Sequence, residues 1–138
     1  MTDRLKITVP GKPEYVGTVR IAVAHAASRV GFDIDAIEDI KVAVSEACNN
    51  IVCHAHKDPD FTYDVTIELS ESKVSILVSD TGVGFGLDEY EEPVPGETRE
   101  SGLGIFIIRA LMDEVDIQSE LGAGTDLRMT KYRKTKIA

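Results

Sequence analysis

Glu46 and Asn50 stand four residues apart, with Asn49 beside them and Cys53 three residues further on, in the stretch IEDIKVAVSEACNNIVCHAHK (residues 37–57). A carboxylate at that spacing can act as a general base, and a carboxamide oxygen can ligate a hard cation. Apolar residues at Ile37, Ile40, Val44, Ala47 and Ile51 recur at three and four, the period of an amphipathic helix. On that helix Glu46 and Asn50 fall one turn apart, on the side opposite the apolar stripe. Asparagine is a poor helix former, so two carboxamides and a carboxylate gathered mid-helix are an unusual face that could serve a site. From this helix alone a solvated face without chemistry fits the same pattern, and the spacing does not say which carboxamide would be a ligand.

Two further patterns occur in a fixed order after this helix. The first is Asp80-Thr81-Gly82-Val83-Gly84, at the end of a run that alternates through Val74, Ile76 and Val78. An acid and two glycines after a strand leave the backbone open to close approach by a ligand. The second is Ser101-Gly102-Leu103-Gly104, ahead of IFIIRALMDEV. Amide groups at a helix entry meet anions favourably. Between the two lies GLDEYEEPVPGETRE, with two prolines and six acidic residues, which reads as a mobile loop over about 85–101.

The remaining elements must position these groups. Leu5, Ile7 and Val9 alternate as a short strand ended by Pro10-Gly11. Pro13 opens a first helix running to about Arg29, Gly31 caps it, and Asp33 or Asp35 starts the central helix. Residues 63–69 and 74–78 form a hairpin, 105–112 a short buried helix, and 115–117 and 127–129 two more strands. The tail KYRKTKIA is expected to fray. The order β, α, α, β, β, loop, α, β, β suggests one domain over residues 1–138. The expected architecture is a two-layer α/β (α+β) sandwich of a mixed sheet with helices on one face.

Composition bounds the function. The 138 residues are 43% hydrophobic, enough for a core without disulfides or zinc, and the formal net charge is −9 from 24 acidic and 15 basic residues. Such a balance argues against nucleic acid or an anionic membrane as partner. No apolar run reaches the length of a membrane span and the N-terminus has no signal-peptide core, so a cytoplasmic location is expected. Cys48 and Cys53, five apart on a helix, point to different sides and are expected as reduced thiols.

In combination, SEACNNIVCHAH, DTGVGF, SGLGIFIIRALMDEV and GTDLRMTKY, with the opening VPGKPEYVGTVRIAVAHAASRVGF, resemble the serine-protein kinases that double as anti-sigma factors in bacterial partner switching. These belong to the ATP-binding fold shared by gyrase, Hsp90, histidine kinases and MutL. The resemblance covers nearly the whole chain and implies a left-handed crossover α/β sandwich that uses ATP and Mg²⁺. It implies that Asn50 holds Mg²⁺, that Glu46 accepts the proton of the attacking hydroxyl, and that Asp80 accepts the adenine amine. It implies further that Gly82 and Gly84 let the chain pass the ring, that residues Ser101, Gly102, Leu103 and Gly104 cradle the phosphates, and that Thr125 supports the adenine. Lys57 and Arg99 would contact phosphate. The implied partners are an anti-anti-sigma protein with a STAS domain as substrate, an alternative sigma factor, and a second copy of the chain. The first helix, with Glu14, Thr18 and Arg20, would be the docking face. Asn49 stands where threonine is usual and would compete with Asn50 for the metal, and the lid is short and unusually acidic. A non-catalytic, ATP-dependent sigma-binding module and a detached histidine-kinase ATPase domain are the competing readings. No dimerising phosphoacceptor helix pair precedes the site, which argues against a sensor histidine kinase.

Overall fold

The computed structural model describes residues 2–54, 58–80, 98–120 and 124–134. The strands are β1 (Asp3–Pro10), β2 (Thr62–Leu69), β3 (Lys73–Asp80), β4 (Glu114–Glu120) and β5 (Gly124–Tyr132); the helices are α1 (Val16–Val30), α2 (Ile34–His54) and α3 (Thr98–Leu111). The strands form one sheet in the order β1-β2-β3-β5-β4. Every pairing is antiparallel, so the two-layer α+β class holds while the expected mixed sheet does not. The reason is topological. The chain leaves β3, passes through α3 to the outer strand β4, and turns back as β5 into the gap beside β3. That return makes β5 run opposite to both neighbours.

Strand alternation sends one set of side chains toward the helices. Val9, Tyr63, Val65, Ile67, Val74, Ile76, Val78, Leu127 and Met129 are buried there. α2 is the middle helix of the layer, with α1 on one flank and α3 on the other. Its buried stripe includes Ile40, Val44, Ala47 and Ile51, as the periodicity predicts, and widens to Ala43, Cys48 and Val52 because both flanks are covered.

Local signals set the helix junctions. Pro13–Tyr15 form a 3-10 turn before α1, so Glu14 precedes the helix itself. Gly31 closes α1 at φ +98°, where a side chain would be strained. Of the two candidate caps for α2, Asp33 is the one used: its Oδ1 accepts from the Ala36 amide at 2.8 Å.

The start of the tail, residues 131–134, is held by the sheet rather than frayed, while residues 135–138 lie outside the described residues. Lys131 and Tyr132 belong to β5, and the Arg133 amide donates to the Ser72 carbonyl at 2.7 Å. Lys131 Nζ donates to the Leu111 carbonyl at 2.5 Å, satisfying the end of α3, and lies 3.8 Å from Asp39 on α2. Among the described residues no helix is long and apolar enough to cross a membrane.

Candidate functional site

A cleft of about 300 Å³ opens between α2 and α3, lined by Glu46, Asn49, Asn50, Cys53, Leu103, Gly104 and Ile107. The periodicity of α2 places Glu46 and Asn50 away from the sheet, and α3 roofs them. Asn50 is therefore not on a solvated face: it is 6% exposed. Both its Oδ1 and Nδ2 are buried without a hydrogen-bond partner among the described residues. A buried carboxamide left unpaired costs on the order of 1–3 kcal/mol. Native proteins retain such a group where a ligand, an ion or an ordered water completes it. Asn49, next in sequence, is exposed, which leaves Asn50 the better enclosed of the two.

Glu46 is half-buried on the turn before. Its Oε2 lies so close to Gly104 that a Cβ there would stand 3.0 Å from it. This contact gives Gly104 a role that the sequence pattern does not assign. Glycine inside a helix costs roughly 1 kcal/mol relative to alanine, yet alanine here would push the carboxylate aside. Gly104→Ala should keep the helical circular-dichroism signal and lower the turnover of any reaction that uses the Glu46 carboxylate by no more than about tenfold, because the carboxylate has to give by only a few tenths of an ångström. An unchanged kcat would show that Glu46 tolerates the displacement.

The glycines do not stand ahead of the helix as expected. α3 begins at Thr98, so Gly102 and Gly104 lie in its second turn. With Thr98 as the first helical residue, the amides of residues 98–100, Arg99 among them, have no intrahelical acceptor, and Ser101 lies one residue further in. Donors able to meet an anion are thus shifted several residues toward the N-terminus. Leu103 is exposed at the cleft rim.

Asp80 and Thr125 meet at the far end of the sheet. They are direct register partners across β3 and β5 and both are buried. Thr125 Oγ1 lies 2.9 Å from Ser119 Oγ. A buried acid beside a buried hydroxyl is a pairing that could read the edge of a base. Gly82, Gly84, Lys57 and residues 85–97 of the expected lid lie outside the described residues.

Glu46 borders a second groove as well, formed with Arg20, Glu38, Lys41, Val42 and Ser45. Arg20 Nε donates to Ser45 Oγ at 2.9 Å, and Ser45 Oγ donates to the Lys41 carbonyl at 2.7 Å. The α1 residue expected to dock a partner is thus tied to α2 one residue from Glu46. Glu14 and Thr18 are exposed nearby in the chain, and Ile21 is 72% exposed. The position of Ser45 next to Glu46 was visible in the sequence, but its partner on α1 was not.

Among the described residues no group of three or more His, Cys, Asp or Glu could hold a metal. The unpaired Asn50 oxygen fits a cation that keeps several waters and bridges to phosphate, as Mg²⁺ does. Cys48 and Cys53 are not joined. Cys48 is buried under α2, where desolvation pushes its thiol up to about 12. The Tyr63 hydroxyl lies beside it, also raised by burial, and is itself buried without a hydrogen-bond partner to a described N or O atom.

The model of the histidine kinase-like ATPase domain matches residues 9–131. The serine-protein kinase RsbW of Halalkalibacterium halodurans is 41% identical, the match covering 94% of this chain and 83% of that protein. RsbW of Bacillus subtilis is 39% identical, with 94% and 86% covered. A solved structure of RsbU and RsbW domains from Mycobacterium tuberculosis is similar with a TM-score of 0.71 at 23% identity, over 99% of this chain and 34% of that one. A chain of the SiaB–SiaC complex from Pseudomonas aeruginosa gives 0.68 at 14% identity, over 91% and 88%. These two likenesses speak for the fold, and the sequence relatives for the finer placement. The chain that carries this cleft, with an unpaired asparagine and a carboxylate one turn apart under a helix, thus belongs to the histidine kinase-like ATPase domain family and, within it, to the RsbW serine-protein kinases.

Proposed function

We propose that this chain transfers the γ-phosphate of ATP to a serine or threonine of a small anti-anti-sigma protein with a STAS domain. When that protein is already phosphorylated, the chain instead holds an alternative sigma factor. The observation that carries the reading is the buried, unpaired Asn50 carboxamide with Glu46 one turn away in the same cleft. In this reading Asn50 holds Mg²⁺, which when bound neutralises phosphate charge. Glu46 takes the proton of the acceptor hydroxyl, Asp80 accepts from the adenine amine, and Thr125 holds the ring edge. The amides of the first turn of α3, with Arg99, Gly102, Leu103 and Gly104 near them, meet the phosphates, and Lys57, Gly82 and Gly84 complete the site.

A base must reach the acceptor hydroxyl whose proton it takes, where that hydroxyl meets the γ-phosphate. Glu46 borders two grooves, and the second is lined by Arg20 of α1 and by the exposed apolar Val42 of α2. This supports entry of the partner over α1, with Glu14, Thr18 and Arg20 in the contact and a homodimer presenting two such faces. Net charge −9 suits the basic surfaces of a sigma factor. A reduced, cytoplasmic setting and a role in stress signalling follow from the same assignment.

The test is transfer of labelled γ-phosphate to a STAS-domain protein from the same host, with phosphoserine or phosphothreonine read by mass. Binding of nucleotide without any transfer would favour a non-catalytic switch module. In the same assay Arg20→Glu should lose partner capture and keep ATP binding. Arg20→Gln serves as control, because a glutamate here adds a third acid to Glu38 and Glu46. If both variants capture partner normally, α1 is not the docking face. Asp80→Asn should weaken ATP and erode its preference over GTP, since guanine offers a carbonyl where adenine offers an amine. Equal affinity of the unaltered chain for the two nucleotides would remove Asp80 from base recognition.

A further inference from the structure

Cys53 occupies the last turn of α2, one turn beyond Asn49 and Asn50, and it is exposed. It lines the same cleft as Glu46 and Asn50. Cys48, the other cysteine of the chain, is fully buried. The two thiols thus differ completely in access, and reactivity follows access and thiolate availability.

The cleft is more than a place where a thiol happens to be visible. Asn50 is buried to 6% exposure and presents both polar atoms of its carboxamide, unpaired among the described residues, to that cleft. That group points independently to a polar ligand. The cleft holds about 300 Å³, so a substituent on the Cys53 sulfur and a ligand reaching Asn50 contend for the same space.

We infer that Cys53 makes the nucleotide cleft sensitive to thiol modification: a small disulfide that caps Cys53 excludes the nucleotide, and bound nucleotide shields Cys53. The inference rests on the reading of this cleft as a nucleotide site. In the reaction the Cys53 thiol gives its proton to solvent and the thiolate attacks one sulfur of a low-molecular-weight disulfide. The S–S bond of that molecule breaks, a mixed disulfide forms on Cys53, and the other half leaves as a thiol. A dithiol reductant reverses the exchange. No other oxidant is needed, and the chain's activity would follow the thiol–disulfide balance around it.

The probe is 4,4′-dithiodipyridine, a neutral disulfide whose released thione absorbs. One equivalent should react with the folded chain, and peptide mass should place it on Cys53. With Mg²⁺ and ATP at a hundred times the Kd, the open fraction of the cleft falls to about one in a hundred, and labelling should slow by about 10². The isolated adduct should fail to bind ATP in calorimetry, and dithiothreitol should restore binding. Cys53→Ser should take up no reagent in the folded state, and its ATP binding should no longer respond to the reagent. An adduct that binds ATP as tightly as the unmodified chain would overturn the inference alone, as would labelling at one rate with and without ATP, or labelling at Cys48. Absence of ATP binding by the unmodified chain would overturn the nucleotide reading, and this inference with it.

Discussion

Replacing Asn50 by leucine is expected to abolish Mg²⁺-dependent ATP binding and to leave the nucleotide-free fold as stable as before or more so. Residues chosen for packing lose stability when altered, whereas Asn50 stands in the opposite position. Its carboxamide is 6% exposed and neither polar atom is paired among the described residues. An apolar group of similar size relieves an unpaired donor and acceptor, worth on the order of 1–3 kcal/mol. Ile107 and Leu103 are at hand in the cleft wall to meet it. For a domain of this size each kcal/mol moves Tm by roughly 4 °C. The unaltered chain should gain about 2.7 kcal/mol from nucleotide at a hundred times its Kd, and the variant should gain nothing. Melting curves with and without Mg²⁺ and ATP read both effects at once. A variant that melts lower than wild type and still gains from nucleotide would mean that Asn50 is a structural residue and not the ligand.

The same residue shows where sequence reading stops. The spacing of Glu46 and Asn50 on α2 was legible because helical periodicity is local. The burial of Asn50 was not, because it depends on α3, which arrives about fifty residues later and packs over α2. The start of α3 was misjudged for a related reason. Thr98 to Gly104 contains weak helix formers and two glycines, so local propensity reads a loop. The contact of Gly104 with Glu46 gives that stretch a tertiary reason to be helical. Caps at Gly31 and Asp33 were readable because their chemistry is confined to a few residues. Sheet direction was not, because it turns on β5 returning beside β3. The facing of Asp80 and Thr125 follows from that return: the sequence names each as a candidate, and only the β3–β5 register places them opposite each other.

Glu46→Gln should retain ATP and lose phosphoryl transfer by roughly 10²–10⁴-fold, the usual worth of a general base. The looseness of phosphoryl-transfer transition states holds the loss toward the lower figure, because the acceptor proton leaves late. Glutamine keeps the shape of glutamate, so the close packing against Gly104 survives and the cleft stays open. It also removes a negative charge beside the phosphates, so ATP affinity should be equal or higher. That sign separates loss of a base from loss of the site. The alternative is that Glu46 only orders the cleft wall, in which case affinity and rate would fall together. Combining the change with Gly104→Ala sharpens the test. If the added methyl acts by displacing the Glu46 carboxylate, it has nothing left to displace once the base is gone. The double variant should then transfer no more slowly than Glu46→Gln alone, a coupling that additivity would not produce. Independent, multiplying losses would instead place Gly104 in phosphate binding. A Glu46→Gln chain turning over at the rate of the unaltered one would remove Glu46 from the chemistry altogether.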